Sequence, residues 1–225
     1  MSNNEDRRED VRQMGFDFIS RRDDEEQTSR ASFWNDTGPA EEDLGGLRTR
    51  VTACRKCSLR AGCKQVVFGE GDSDSDLMLI GEAPGADEDR LGRPFVGRSG
   101  KLLDRILEAC GLSRERAYIT NIVKCRPPGN RTPRPEEREV CIPYLKAQVR
   151  LIRPRVMVTL GAAATQGLID PRARITQMRG TWQSWQGIRV MPTFHPAALL
   201  RDPSKKAPTW HDMKLVMTEL EGDSA

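Results

Sequence analysis

The stretch Leu77-Met78-Leu79-Ile80-Gly81-Glu82-Ala83-Pro84-Gly85 decides the fold of this chain. An apolar run of strand length empties into a turn where two glycines and a proline let no regular element continue. Open α/β sheets place their ligand sites at such turns, at the carboxyl ends of parallel strands. Asp87, Glu88, Asp89 and, further on, Asp104 join Glu82, opposed by Arg90, Arg93 and Arg98. A phosphate cradle would pair backbone N–H groups with a lysine in the pattern G-x-x-x-x-G-K-[ST], which is absent. The loop suits a water or a developing positive charge. For each acid the plain alternative is a helix N-terminus that complements the macrodipole.

Beyond the turn, Leu102, Leu103, Ile106, Leu107 and Cys110 have the spacing of a buried helical face and predict a helix over 99–110, stopped by Gly111. Residues 118–123, rich in β-formers, read as a second strand. A proline-rich loop over 126–133 follows, with Thr132 and Pro133 capping a helix through Arg150. Residues 156–160 and 190–194 read as strands three and four, with a helix over 161–168 between them and a last helix over 209–220. Residues 179–187, with Trp182 and Trp185, form a hairpin arm against the sheet edge. Strands alternating with helices imply a parallel sheet covered on both faces.

The 225 residues carry 36 Lys and Arg and 33 Asp and Glu, for a net charge of +3. That balance hides an asymmetry: residues 1–46 hold 13 acids and 6 arginines, leaving +10 on the remainder. The predicted organisation is a disordered acidic tail over 1–46 and a basic, folded body over 47–225. Within the tail, Gln13-x-x-Phe16-x-Phe18 is similar to peptides that dock on bacterial sliding clamps, with a chance apolar cluster as the plain alternative. No apolar run reaches the ~20 residues of a membrane span, and the charged start is unlike a signal peptide. A cytoplasmic monomer without membrane contact is expected, its thiols reduced.

The six cysteines then need a reason other than disulfides. Cys54 and Cys57 form a C-x2-C pair, and Cys125 follows a strand with Cys141 in the next helix. Four thiolates from two distant segments suit a structural zinc or an iron–sulfur cluster, and spacing does not choose between them. Cys63 is a rival ligand; Cys110, on a helix's apolar face, reads as an ordinary buried thiol.

Gly81-Glu82-Ala83-Pro84-Gly85, Arg93-Pro94-Phe95-Val96-Gly97, Tyr118-Ile119-Thr120-Asn121, Lys124-Cys125-Arg126-Pro127-Pro128 with Asn130-Arg131, and His195-Pro196-Ala197 together resemble the family 4 uracil-DNA glycosylases of bacteria and archaea. The match runs in order from about Arg48 to Leu220. The resemblance implies a three-layer α/β/α sandwich on a four-stranded parallel sheet, and one [4Fe-4S] cluster held by Cys54, Cys57, Cys125 and Cys141. It also implies uracil-containing DNA as partner and a prokaryotic cytoplasm, at the nucleoid, as the place of action.

Uracil removal passes through an oxocarbenium-like sugar while negative charge collects on the departing base, so the site needs carboxylates and a hydrogen-bond donor. The resemblance makes Glu82 the first candidate to activate water and Glu88 the second, with Ala83 standing where a better-known glycosylase family has aspartate. His195, at a strand's carboxyl end, is the expected donor to the uracil oxygen, as neutral ring or imidazolium. Asn121 reads the uracil edge, Phe95 stacks on the extruded base, and Ala83, Gly85 and Asn130 line the substrate site. Leu199 is the expected wedge in the gap left by the flipped nucleotide, with one of Leu199 and Leu200 as plain core. Two readings stay beside this one: a related glycosylase for other deaminated bases, and a non-enzymatic Fe–S DNA-binding module.

Overall fold

The structure, a computed structural model, describes residues 33–34 and 43–222. Most of the expected acidic tail, with its clamp-like segment at 13–18, lies outside the described residues, and the end of it, 44–46, is the first turn of α1. The body comprises α1 (Leu44–Thr52), α2 (Leu59–Gly62), β1 (Glu70–Gly71), β2 (Leu77–Gly81), α3 (Ala86–Leu91), α4 (Arg98–Ala109) and β3 (Tyr118–Asn121). There follow α5 (Pro135–Ile152), β4 (Val156–Leu160), α6 (Ala162–Leu168), α7 (Ile175–Met178), β5 (Gln183–Trp185), β6 (Ile188–Thr193), α8 (Pro196–Arg201) and α9 (Lys206–Glu221).

The strands form one sheet in the order β1-β3-β2-β4-β6-β5. The inner four are parallel, with Gly81 beside Asn121 and Leu160 beside Thr193. The expected four-stranded parallel sheet is therefore the centre of a six-stranded mixed sheet: β1 and β5 pair antiparallel at the two edges. β5 is the anticipated hairpin arm, Trp185 pairing with Ile188 around Gln186 and Gly187.

Side chains alternate across the pleat and sort the helices onto two faces. Leu77, Leu79, Ile119, Val156, Val158 and Met191 share one core cluster with Leu103 and Leu107 of α4 and Met213 and Val216 of α9. On the opposite face Tyr118 and Thr120 meet Gln148 of α5, and Thr159 meets Thr165 of α6 at 2.9 Å. Every residue of β2, β3 and β4 is buried, as an α/β/α sandwich requires.

Asp43 caps α1, its Oδ1 accepting from Gly46 N at 2.7 Å. α5 begins later than expected. Pro133 and Pro135 both fit a first helical turn, but Glu137 accepts from Arg134 N at 2.8 Å and from Arg131 through both carboxylate oxygens, which puts Pro135 at the start. The second strand stops at Asn121, yet Ile122 N and Val123 N still donate to Gly81 O and Glu82 O, so the turn after β2 stays tied to the turn after β3. α9 starts at Lys206, ahead of the expected 209, because Pro208 is tolerated in a helix's first turn.

Candidate active site

The carboxyl ends of the parallel strands open into a cleft of about 760 Å³. Glu82 follows β2, Asn121 ends β3, Gly161 follows β4 and His195 lies just past β6, and all four line it. Ala83, Gly85, Glu88, Phe95 and Asn130 line the same cleft. Segments more than 110 residues apart in sequence thus deliver the expected site residues to one place, because parallel strands end on one side of a sheet.

The acids of the turn separate by what they already bind. Glu88 has both oxygens committed: Oε1 accepts from Val96 N and Gly97 N, each at 2.9 Å, and Oε2 accepts from Gly85 N at 3.1 Å. The second place for Glu88 as water activator is therefore corrected. Three backbone donors make it a clamp that ties the turn after β2 to the loop carrying Phe95. Asp89, 2% exposed, accepts from Lys64 N and Gln65 N. Asp87 pairs with Arg90, and Asp104 with Arg114. Glu82 is the acid of this group that faces the cleft without a backbone donor on its carboxylate among the described contacts. Burial pushes its pKa above the ordinary carboxylate value, with the Thr132 hydroxyl and the Arg138 charge pulling it partly back.

His195 caps α8, and its Nδ1 accepts from Ala197 N at 3.0 Å. A neutral ring so held carries its proton on Nε2. Burial pulls the pKa down to about 4, the Arg201 charge acting the same way and Glu88 opposing. At neutral pH His195 is an uncharged donor.

Phe95 lies against His195 with ring centroids 5.6 Å apart and planes 30° apart. Its backbone sits at φ 51°, a conformation that costs a non-glycine residue about 1–2 kcal/mol. Arg114 holds that turn, donating to Phe95 O at 2.9 Å and Pro94 O at 2.5 Å. Asn121 and Phe95 both press on Gly81: a Cβ there would lie 2.3 Å from Asn121 Oδ1 and 2.5 Å from Phe95 Cζ. Asn130 ends a single 3-10 turn at φ 55°, its Oδ1 accepting from Arg126 Nε at 2.8 Å, so it is a turn former at the edge of the cleft.

The wedge expected at Leu199 is also corrected. Leu199 is 2% exposed and faces inward beside Leu102, Ile106 and Trp210, whereas Leu200 is 39% exposed. A wedge must leave the protein surface, and on α8 the exposed leucine is Leu200. Arg201 and Lys205 line the same cleft and give its rim positive charge. Sequence reasoning missed Thr132 and Arg138 as neighbours of Glu82; nothing in the local pattern signals them, because the proline loop must fold back first.

Cys54, Cys57, Cys125 and Cys141 line one small cavity with Arg60, Lys124 and Tyr144. Cys63 stands outside that lining, its sulfur accepting from Arg60 Nη1 and donating to Arg60 O. Among the described residues, no group of three or more His, Cys, Asp or Glu side chains is set to hold a single metal ion. The cavity nonetheless fits an anionic group. Arg60 Nε is buried there without a hydrogen-bond partner, and Lys124 N donates to Cys141 Sγ at 3.4 Å. Cys110 is a buried thiol of the core, its pKa pushed up to about 11 by burial.

Residues 68–214 match the family description "Uracil DNA glycosylase superfamily". A type-4 uracil-DNA glycosylase of Thermotoga maritima is 46% identical over 168 residues, covering 74% of this chain and 88% of that protein. One from Saccharolobus solfataricus is 43% identical over 188 residues, covering 80% and 87%. A type-5 uracil-DNA glycosylase of Pyrobaculum aerophilum is 33% identical over 146 residues, covering 57% and 64%.

Proposed function

Since this chain belongs to the type-4 uracil-DNA glycosylases of the uracil-DNA glycosylase superfamily, we propose that its cleft binds uracil flipped from DNA and hydrolyses the N-glycosidic bond, leaving an abasic site for repair. The observation that carries the reading is the meeting of Glu82, Asn121, Phe95 and His195 in one cleft at the strand ends. Among the described residues no helix is long and apolar enough to cross a membrane.

Phe95 offers its face to the extruded base, and the Asn121 amide reads its edge with one donor and one acceptor. Leu200 fills the vacated stack, and Arg201 and Lys205 neutralise flanking phosphates. As the C1′–N1 bond breaks, His195 Nε2–H donates to a uracil carbonyl oxygen that gains negative charge, and the bonding pair leaves with the base. Glu82 as carboxylate steadies the cationic sugar and accepts a proton from the water that attacks C1′. Ala83 leaves that water room without supplying a second acid.

The cysteine cavity is the proposed seat of one [4Fe-4S] cluster, which Cys54, Cys57, Cys125 and Cys141 would hold and to which the unpartnered Arg60 Nε would offer a donor. A cluster bound there supplies a crosslink between the segment after α1 and the loop after β3.

Incubation with a labelled duplex holding one uracil opposite guanine, followed by alkali, tests the reading. Scission at the uracil supports it. An intact strand from folded, iron-loaded protein overturns it, and hypoxanthine and xanthine duplexes run alongside identify a glycosylase for other deaminated bases.

Two further outcomes follow from the site's geometry. Gly81→Ala drives a methyl group into Asn121 and Phe95 and is expected to slow uracil release about 10²-fold, since an error of ~1 Å in placement costs that much; single-turnover kinetics at saturating protein measures it. Thr132→Val removes a hydrogen bond that lowers the Glu82 pKa, so that pKa rises. The acidic limb of the pH–rate profile, where Glu82 takes up a proton and activity is lost, should move to higher pH while the plateau rate holds.

A further inference from the structure

Lys124 is 1% exposed, and among the described residues no carboxylate pairs with it. Its ammonium donates to Thr120 Oγ1 at 2.6 Å, Asn121 O at 2.8 Å and Gln148 Oε1 at 2.6 Å, which uses all three protons. Gln148 is fixed in turn, its amide donating to Phe68 O at 2.8 Å and the Tyr118 hydroxyl at 3.1 Å. The lysine therefore closes a buried polar network beneath the end of β3, the end that carries Asn121.

The other side of the same residue belongs to the cysteine cavity. Its backbone N–H reaches Cys141 Sγ, its neighbour is Cys125, and Lys124 itself lines the cavity. Lys124 thus joins the two places, its backbone bonded at the cysteine cavity and its side chain at the end of β3.

We propose that Lys124 is a positioning residue for base recognition, a buried link through which the thiolate-held centre fixes the strand end that presents the Asn121 amide. The proposal rests on the reading of Asn121 as the uracil-reading amide and of the four cysteines as cluster ligands. Methionine at 124 keeps the length of the side chain and removes its three bonds, so Asn121 loses its anchor while the cleft keeps its acids and His195. Among the described contacts, Asn121 is the cleft residue bonded to Lys124, so the influence of Lys124 passes through it.

The test is a double-mutant cycle in the full chain, with iron counted per chain and the visible absorption spectrum recorded for each variant. Its readouts are the dissociation constant of free uracil, from competition, and the single-turnover rate on uracil DNA. Lys124→Met is expected to weaken uracil binding and slow release about tenfold, or ~1.4 kcal/mol, while in an Asn121→Ala background it changes either by less than about twofold, the signature of coupled residues. Equal effects in both backgrounds, or no effect in the native one, would overturn the proposal. Should Lys124→Met lose its iron or its fold, Thr120→Val replaces it, removing one ammonium acceptor with a side chain of the same shape. Its effect, expected to be about threefold, must likewise vanish with Asn121→Ala. A native protein that holds iron but releases no uracil sinks the functional reading instead, so the two failures are distinct.

Discussion

Replacing His195 by phenylalanine should slow uracil release about 10²–10³-fold, the loss that follows when one preorganised donor to a developing anion is removed. The side chain is set for that role before substrate arrives. Ala197 N–H fixes the ring through Nδ1, and burial keeps it neutral down to about pH 4, so Nε2–H is a ready donor without a proton having to be gained or lost. A neutral donor also means that no histidine limb appears in the pH–rate profile above pH 5. Phenylalanine preserves the ring's contact with Phe95, so the deficit belongs to the hydrogen bond rather than to packing. Thermal melting is the control: the lost cap to Ala197 N costs about 0.5–2 kcal/mol, too little to empty the folded state. A fall smaller than tenfold would remove His195 from the chemistry.

Glu82→Gln should be as severe, with release slowed about 10²–10⁴-fold as for the loss of a positioned general base. The exchange keeps the side chain's shape and leaves the backbone bond from Val123 N to Glu82 O in place, so the turn after β2 stays folded. Charge is what disappears, at the group whose desolvation already makes it a stronger base than an ordinary carboxylate. The variant should bind uracil DNA with unchanged affinity, and its residual activity should lose the acidic limb, since nothing is left there to protonate. A variant that binds and turns over like the native chain would return the role to another acid.

Glu88 illustrates where sequence runs out. It sits a turn after Glu82 in an acid-rich run, and only the folded loop shows its oxygens taken by Gly85, Val96 and Gly97. Periodicity settles a long element such as α4, whose Leu103 and Leu107 face the core as their spacing requires. It fails in α8, six residues long, where Leu199 and Leu200 are alike in sequence and opposite in exposure. The parallel order of the inner strands follows from the alternation of strands and helices, whereas β1 has two residues, Glu70 and Gly71, and carries no pattern at all. Its pairing is steric: at φ 124° a Cβ on Gly71 would lie 1.8 Å from Ala117 O. The cysteine pairs were legible as a set because C-x2-C marks itself. The lysine beside them was not, since Lys124 becomes notable only when it proves to be buried.

The central claim is that this cleft selects uracil and cuts it free. The most direct measurement is mass spectrometry of the bases liberated in a single turnover from three otherwise identical duplexes carrying uracil, thymine or cytosine at one position. Free uracil in stoichiometric amount from the first, with no base from the other two, is the predicted result. Liberation of thymine or cytosine at a comparable rate, or of no base at all from iron-loaded protein, would contradict it.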